Sequence, residues 1–382
     1  MTRPSLLALI ALPLALITAY LLLWPVDAAP MAWHPQPTPG YRGPHAMNKR
    51  LESAQRIPIA AGAGPEHVAL GPDGRVYAGL GSGVILRMAP DGSAQQRFAD
   101  TGGRVLGLEF DRAGNLIAAD AYKGLVRVGP DGQATVLTAE VAPGDPIRYA
   151  DAVAISGQGL IYFTEGSHHF APGPWGDPLA ASVAEILEQK GNGRVLVYDP
   201  NTGRTEVVAQ GLVFANGIVV SHDGHALLVV ETGRYRVWRI DASARNLDLR
   251  DVQGPQARLI LDNLPAFPDN LTRGSHGLYW LGLPQARSSL ADSMAPWPFL
   301  RTISLRLPFA WLPTPAPYGH VIGFDDSGEV RVDLQDPSGR WHDVTGATET
   351  AGRLYLHSLK APAIGILAWP QTFDQTVESA RQ

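Results

Sequence analysis

The feature that most constrains the fold of this chain is a hairpin motif repeated along most of its length. Each copy has a short apolar run, a polar turn ending in glycine and a second apolar run. This pattern is typical of an antiparallel hairpin whose turn glycine adopts a positive φ. The starts are about 40 to 75 residues apart, which suits one four-stranded blade per repeat. The copies begin at His67, Gly107, Ala152, Gly217, Asn270 and Gly346.

Six such repeats predict an all-β, six-bladed β-propeller. Its composition agrees, because 41 glycines and 32 prolines in 382 residues are typical of a turn-rich all-β chain. We assign residues 50–372 to the propeller and 373–382 to a C-terminal tail. The strand that closes the ring could come from either terminus. In a propeller, equivalent positions on the innermost strands converge on the central axis, even when they are far apart in sequence.

Four repeats carry an oxygen-bearing side chain eight residues before the turn glycine. We call this position, in each of the six repeats, a hub position. One such residue alone is more typical of a strand-start cap, but four in the same position predict a shared cluster on the axis. Carboxylate and amide oxygens without sulfur or imidazole favour a hard cation such as Ca²⁺. The hub positions are Glu66, Leu106, Asp151, Asn216, Asp269 (followed by Asn270) and, in a less regular repeat, Val344.

Several segments around these residues resemble one known family. They include GPEHVALGPDGRVYAG (64–79), VFANGIVVSHDG (213–224) and LPAFPDNLTRGSHG (264–277). The chain resembles the strictosidine synthase-like branch of the superfamily that also holds senescence marker protein/gluconolactonases and paraoxonases, all six-bladed propellers. The resemblance implies hydrolysis of lactones or of aryl and alkyl esters at the central tunnel. It also implies a calcium ion held by Glu66, Asp151, Asn216, Asp269 and Asn270.

The chain also departs from this family. Asp120 and Pro284 stand where paraoxonases have histidines near the substrate, so their proposed histidine dyad cannot be transferred. The general base is therefore open. Asp269 is the first candidate because its carboxylate would lie at the metal, and His168 and His169 are the competing ones. His67 follows a hub position in a strand, so alternation predicts that it points away from the axis in a structural role.

Two other functions compete with a calcium-dependent hydrolase. The first is a strictosidine synthase-like, non-hydrolytic enzyme that condenses its substrates without a metal. The retained oxygen set argues against it, because such chemistry does not need three convergent carboxylates. The second is a non-catalytic propeller that serves as a binding module, in which calcium would only add stability. A nucleic-acid partner is disfavoured, since the net charge is −5 and no basic run is interleaved with aromatics.

Residues 1–28 predict a membrane signal anchor or a cleaved signal peptide. The segment 5–26 is almost continuously apolar, and roughly 20 such residues can span a bilayer. Ala28 ends a small-residue sequence that is compatible with cleavage. No Lys or Arg follows Arg3 until Arg42. This favours export of the propeller to the periplasm or another extracytoplasmic space, tethered to the inner membrane. Residues 29–49, rich in proline and glycine, are predicted to form a linker.

Two insertions interrupt the hairpin pattern after second strands of blades. Residues 166–192 contain the helix-like SVAEILEQ, and residues 285–317 contain the apolar WPFLRTISLRLPFAWL. The second insertion could be a lid over an apolar pocket, a segment that rests on the membrane, or packing between blades. An apolar lid would favour hydrophobic esters or long-chain lactones over sugar lactones. The chain has no cysteine, so it depends on no disulfide.

Overall fold

The computed structural model of this chain describes residues 6–59, 62, 64–251, 254–350 and 352–369. The tail predicted at 373–382 lies outside the described residues. Within them, six antiparallel four-stranded units form the blades of a β-propeller, which confirms the predicted fold class. Each predicted hairpin supplies the two inner strands of one blade.

In blades 1 to 5 the four strands follow the chain from the axis outward, and in blade 6 the three inner strands do so. Blade 1 contains His67–Leu70, Val76–Gly79, Val84–Met88 and Gln96–Asp100. Blade 2 contains Val105–Phe110, Leu116–Asp120, Gly124–Val128 and Ala134–Thr138. Blade 3 contains Ala150–Ile155, Ile161–Glu165, Gly193–Asp199 and Arg204–Leu212, with Leu247–Asp248 added in parallel at its outer edge.

The second half of the ring repeats this order. Blade 4 contains Ala215–Val220, Ala226–Glu231, Arg236–Asp241 and Ala257–Leu261. Blade 5 contains Leu271–Arg273, Tyr279–Gly282, Gly319–Phe324 and Val330–Asp336. Blade 6 contains Gly346–Thr350, Arg353–His357, Ala363–Ala368 and, outermost, Gln55–Pro58. Two short ribbons pair Glu140–Ala142 with Asp145–Pro146 and Ala266–Phe267 with Gln285–Ala286.

The ring is closed by the N-terminal strand. Gln55–Pro58 pairs antiparallel with Ala363–Ala368, with Gln55 opposite Ile366 and Pro58 opposite Ala363. Blade 6 therefore takes three strands from the C-terminal end of the propeller and one from its beginning. This settles the question that the repeat pattern left open, and it makes the two ends of the domain depend on each other.

The core lies between neighbouring blades, where apolar side chains of adjacent sheets interdigitate. Blades 5 and 6 provide an example, since Trp280 and Trp341 are both fully buried there. Trp369 meets Trp280 edge to face, with the ring centroids 4.9 Å apart. Burying one large apolar side chain contributes about 1.5–3 kcal/mol, so these contacts hold the wheel together and fix the positions of its inner strands.

In the described part of the chain, four α-helices accompany the blades: Leu6–Leu23, Pro178–Glu188, Ser289–Met294 and Pro298–Arg306. The second begins where Asp177 accepts a hydrogen bond from the backbone N–H of Ala180 and Pro178 occupies the first turn. It lies in the 166–192 insertion, as predicted, and the last two lie in the 285–317 insertion. Short 3₁₀ turns lie at Gly43–His45, Thr232–Arg234 and Phe309–Trp311.

The N-terminal segment is fixed to the rest of the molecule. Arg306 donates from Nε to the carbonyl oxygen of Trp24, at the end of the first helix. Farther on, the backbone N–H groups of Met31 and Trp33 donate to the carbonyl oxygens of Glu188 and Ala295. The predicted linker at 29–49 thus lies against the propeller and its insertions. Over the described residues, no helix has both the length and the apolar character needed to cross a membrane.

Candidate functional site

Four of the hub residues line one cavity of about 500 Å³. Glu66, Asp151, Asn216 and Asp269 lie in, or within two residues before, the inner strands of blades 1, 3, 4 and 5. Residues separated by as many as 203 positions (269 − 66) therefore line the same cavity. The fifth predicted residue, Asn270, is buried beside them, and its Nδ2 donates to the carbonyl oxygen of Glu66 at 2.9 Å.

The inner strands are distorted where they present these side chains. The pairing register shifts between Ala150 and Val153, on either side of Asp151, and again between Ala215 and Ile218, on either side of Asn216. Such β-bulges re-aim side chains and recur next to active sites. They explain why the hub positions face the cavity although they lie at the edge of regular pairing.

Adjacent inner strands approach each other most closely just after the hub positions. A Cβ atom added to Gly217 would lie 2.4 Å from the backbone nitrogen of Leu271 in the next blade. A Cβ atom on Gly107 would lie 2.7 Å from the Cα atom of Ala152. Only glycine allows this approach, and it brings the side chains of neighbouring blades to one place.

The cavity concentrates negative charge. Burial raises the pKa of Asp151 well above its ordinary value, and the nearby carboxylates of Glu66 and Asp269 raise it further. Burial, followed by repulsion from Glu66, likewise raises the pKa of Asp269 well above its ordinary value. Like charges held together away from water destabilise one another. The three carboxyl groups therefore favour either bound protons or a cation.

Two amide oxygens in the same cluster lack hydrogen-bond donors. The Oδ1 atoms of Asn216 and Asn270 are buried and have no partner among the described residues. A buried acceptor left unsatisfied costs about 1–3 kcal/mol, so an unpaired oxygen in a polar cluster points to a missing ligand. Three carboxylates with two free amide oxygens, and no sulfur or imidazole, fit a hard cation such as Ca²⁺.

Arg104 adds a positive charge that sequence reasoning missed. Its guanidinium forms an ion pair with the Glu66 carboxylate, and its side chain is only 14% exposed. In the described structure, the oxygen atoms of the three cavity carboxylates do not all lie within 4.8 Å of one another. A cation bound to all three would compete with Arg104 for Glu66, because Arg104 already pairs with that carboxylate.

The walls of the cavity are mainly apolar and come from both insertions. The helix Pro178–Glu188 contributes Leu179 and Val183, and the 285–317 insertion contributes Met294 and Trp311. Both predicted insertions therefore cover the site. This explains why an oxygen-lined floor is combined with a hydrophobic entrance.

Asp269 is the candidate base that the structure brings into the cavity. The Asn216 side chain and the Asn270 backbone lower its pKa against the larger effect of burial. Its oxygen lone pairs can accept a proton from a water molecule in the cavity.

His168 and His169 do not join this cluster. They line a separate cleft, where Nε2 of His168 lies 3.5 Å from Asp145 and Nε2 of His169 lies 2.9 Å from the carbonyl oxygen of Asp27. The cleft is also lined by Arg194 and Gln210, from the third and fourth strands of blade 3. No histidine is among the described residues that line the cavity.

Three other residues discussed from the sequence have packing or structural contacts. The ring of His67 packs against that of His357 on blade 6, with centroids 5.2 Å apart, and burial lowers its pKa to about 4. Asp120 is fully buried and accepts hydrogen bonds from the backbone N–H groups of Arg104 and Tyr122. Pro284 lines the cavity.

The residues that sequence reasoning missed share one signal. Arg104, Tyr149, Phe214 and Phe267 each lie two positions before a hub residue. In an extended chain, residues two apart point the same way, so a second layer of side chains was predictable at these positions. Phe214 holds a left-handed backbone with φ of 60°, a conformation that packed surroundings must enforce for a non-glycine residue.

The chain matches known proteins in both sequence and structure. Family models described as "Strictosidine synthase-like, N-terminal" and "Strictosidine synthase" match residues 43–88 and 151–244. Protein STRICTOSIDINE SYNTHASE-LIKE 6 of Arabidopsis thaliana is 32% identical over 83% of this chain and 82% of its own length. Adipocyte plasma membrane-associated protein of Salmo salar is 30% identical over 84% of this chain and 79% of its own.

Among solved structures, a gluconolactonase from Xanthomonas campestris superposes with a TM-score of 0.58 at 17% identity. The match covers 91% of this chain and 99% of that one, and it concerns the fold. Both sequence relatives align over more than two thirds of their length. The chain therefore belongs to the strictosidine synthase-like family.

Proposed function

We propose that this protein is a calcium-dependent hydrolase that acts on lactones or on aryl and alkyl esters in the central cavity. One observation carries the proposal: buried carboxylates and unpaired amide oxygens from four blades meet on the floor of an apolar cavity. A scaffold alone gains nothing from mutually repelling buried carboxylates, whereas a hydrolase can use a cation there.

The residues that would hold the ion are the five oxygen-bearing side chains already described. When bound, calcium supplies a Lewis acid that polarises a carbonyl or lowers the pKa of water. The set is Glu66, Asp151, Asn216, Asp269 and Asn270.

The protein itself supplies a base and a dry environment. We assign Asp269 as the general base, which accepts the proton of the attacking water on a carboxylate oxygen. Burial raises its pKa, which makes it a better proton acceptor than an exposed aspartate, although a bound cation opposes this shift.

The Tyr149 hydroxyl already donates to the carbonyl oxygen of Pro178 at 2.8 Å, so we assign it a positioning role in the wall.

The apolar walls favour hydrophobic substrates. Leu179, Val183 and Met294 provide surface for an acyl or aryl group, whereas a sugar lactone would leave its hydroxyl groups without partners there. We therefore place long-chain lactones and hydrophobic esters ahead of sugar lactones.

Chelation combined with turnover tests the activity. The purified chain should hydrolyse a panel of phenyl esters and medium-chain lactones, lose this turnover on calcium removal and regain it on calcium addition. Asp269→Asn should lower kcat by at least about 100-fold, whereas the control His168→Gln should retain activity. Turnover that survives chelation, or a wild-type kcat in Asp269→Asn, would contradict the proposal. If calcium stabilises the protein without any turnover, a binding module is the better description.

We also propose that the propeller is exported and held at a membrane. The first helix and the 285–317 insertion lie together, and the Tyr20 hydroxyl donates to the carbonyl oxygen of Arg306. The insertion exposes Trp297 and Trp311, whose exposed fractions are 62% and 72%. Tryptophan is favoured at membrane interfaces. Cell fractionation should recover the chain with the membranes, and recovery in the soluble fraction would contradict this placement.

A further inference from the structure

A second polar cluster lies away from the cavity, where the N-terminal segment crosses blade 5. His45 comes from the 3₁₀ turn Gly43–His45, while His320 and Asp333 come from neighbouring strands of the blade. In that antiparallel pair His320 lies opposite Gln335, two residues from Asp333. The side chains of His320 and Asp333 therefore share one face of the sheet, and His45 is placed over them.

The three side chains converge on one point. Nδ1 of His45 and Nε2 of His320 each lie 2.9 Å from the same carboxylate oxygen, Oδ2 of Asp333. Their ligand atoms all lie within 4.8 Å of one another, a compactness that no other group of three His, Cys, Asp or Glu residues reaches in the described part of the chain. The residues are 7%, 0% and 7% exposed, in the order His45, His320, Asp333.

We propose that His45, His320 and Asp333 bind a divalent transition metal ion of the Zn²⁺ class. Two imidazoles and one carboxylate suit such ions and differ from the all-oxygen set of the cavity, which suits calcium. Zinc bonds of about 2.0–2.2 Å place tetrahedral ligand atoms about 3.3 Å apart. The nitrogen-to-oxygen distances would need to open by only a few tenths of an ångström.

The surroundings of the cluster are those of a ligand site. The other oxygen of Asp333, Oδ1, accepts hydrogen bonds from Nδ2 of Asn48 at 3.0 Å and from Nε2 of Gln335. Such outer contacts orient a metal-binding carboxylate. They also leave Oδ2 directed at the two imidazoles.

Two polar atoms beside the cluster lack partners. Nδ1 of His320 and the Tyr41 hydroxyl are buried without a hydrogen bond among the described residues. The Tyr41 ring lies 5.6 Å from the His320 ring. A metal ion held by three protein ligands has a fourth position to fill, and the unpaired Tyr41 hydroxyl is a candidate for it.

The position of the site suggests its consequence. His45 precedes Gln55–Pro58, the strand that closes blade 6, while the other two ligands belong to blade 5. A metal ion would therefore join the segment leading into the closing strand to the neighbouring blade. Binding to the folded chain alone stabilises it by mass action, so zinc should strengthen ring closure.

Zinc titration of the full-length, tag-free chain tests this site. The protein is first freed of metals, and excess CaCl₂ is then kept present so that hard-cation sites are saturated. Calorimetry with ZnCl₂ should show one ion per chain, and Co²⁺ should give visible ligand-field bands that zinc abolishes. His45→Gln and Asp333→Asn should each weaken zinc binding at least about 100-fold, whereas His45→Cys, which supplies a thiolate ligand, should retain it.

Two controls separate this site from adventitious binding. The double variant His168→Gln, His169→Gln removes the exposed histidines near Asp27 and Asp145, and it should bind zinc as the wild type does. Glu66→Gln alters the cavity and should also leave zinc binding unchanged. Wild-type zinc affinity in a folded His45→Gln, loss of binding in the histidine double variant, or no stoichiometric zinc in the wild type would each overturn the proposal. The last result would leave a hydrogen-bonded network only.

Discussion

At the scale of single residues, the cavity is a balance between carboxylates and one guanidinium. Asp151 and Asp269 repel Glu66, while Arg104 attracts it and opposes the effect of burial on the Glu66 pKa. Changes on the two sides of this balance should therefore act in opposite directions on the metal-free protein. With calcium present these effects on stability should reverse, because the ion needs the negative charges as ligands.

Asp151→Asn should stabilise the metal-free protein and weaken its response to calcium. The folded state raises the pKa of Asp151 above the ordinary value of 3.8. As pH rises above this value, the unfolded chain releases the proton first, so the free energy of unfolding falls until the folded carboxyl also ionises. Thermal unfolding in chelator at pH 5 and pH 8 should show a larger loss of Tm for the wild type than for the variant.

The effect of calcium on the free energy of unfolding can be given a magnitude. At a calcium concentration of 100 Kd the wild type should gain about 2.7 kcal/mol, and Asp151→Asn should gain clearly less at the same concentration. An equal gain in both proteins would show that Asp151 is not a ligand. Glu109→Gln is a matched control, since Glu109 is a carboxyl on the inner strand of blade 2 that does not line the cavity.

Arg104→Met should have the opposite effect on the metal-free protein. It removes the cation that pairs with Glu66 and leaves an uncompensated buried carboxylate, a change of about 3–5 kcal/mol for a buried pair. Calcium should recover most of the lost stability, because Glu66 no longer has a competing partner. Urea unfolding with and without calcium measures both effects, and a variant that calcium fails to rescue would contradict the competition between Arg104 and the ion.

At the scale of elements, the two insertions determine what can reach the floor of the cavity. Ala291 lies in the helix Ser289–Met294 and lines the cavity. Ala291→Trp should fill part of the apolar volume and reduce kcat/KM for long acyl chains by about tenfold or more, with a smaller effect on acetyl esters. Leu300→Trp, on the exposed side of the next helix, is the control. Equal losses for long and short substrates in Ala291→Trp would argue against an acyl site there.

The elements also show what sequence reasoning could reach. The hairpins and their turn glycines were readable because alternation and turn chemistry are local, and so was the convergence of Asp151 and Asn216. Two-residue alternation places Arg104 on the side of Leu106, but an apolar hub position gives no indication of an ion pair with Glu66. The placement of His168 was not accessible, since it depends on how the chain leaves blade 3 and on its contact with Asp145.

At the scale of the whole molecule, ring closure links the N-terminal segment to the last blade. A chain that begins at residue 49 keeps the strand Gln55–Pro58 and should unfold cooperatively. A chain that begins at residue 59 lacks it and exposes the edge of Ala363–Ala368, which invites aggregation. Light scattering and thermal unfolding compare the two, and equal stability of both chains would contradict the observed closure. The choice of terminus could not be read from the repeats, because Gln55–Pro58 lies outside the hairpin motif that they share.

The central claim is that oxygens from four blades bind one calcium ion on the axis of the propeller. Calorimetric titration of the metal-free chain with CaCl₂ tests it most directly, carried out on the wild type, Asp151→Asn, Asp269→Asn and the control Glu109→Gln. We expect one ion per chain in the wild type and the control, and binding at least about tenfold weaker in the two cavity variants. Calcium binding that is absent from the wild type, or unchanged in both cavity variants, would contradict the claim.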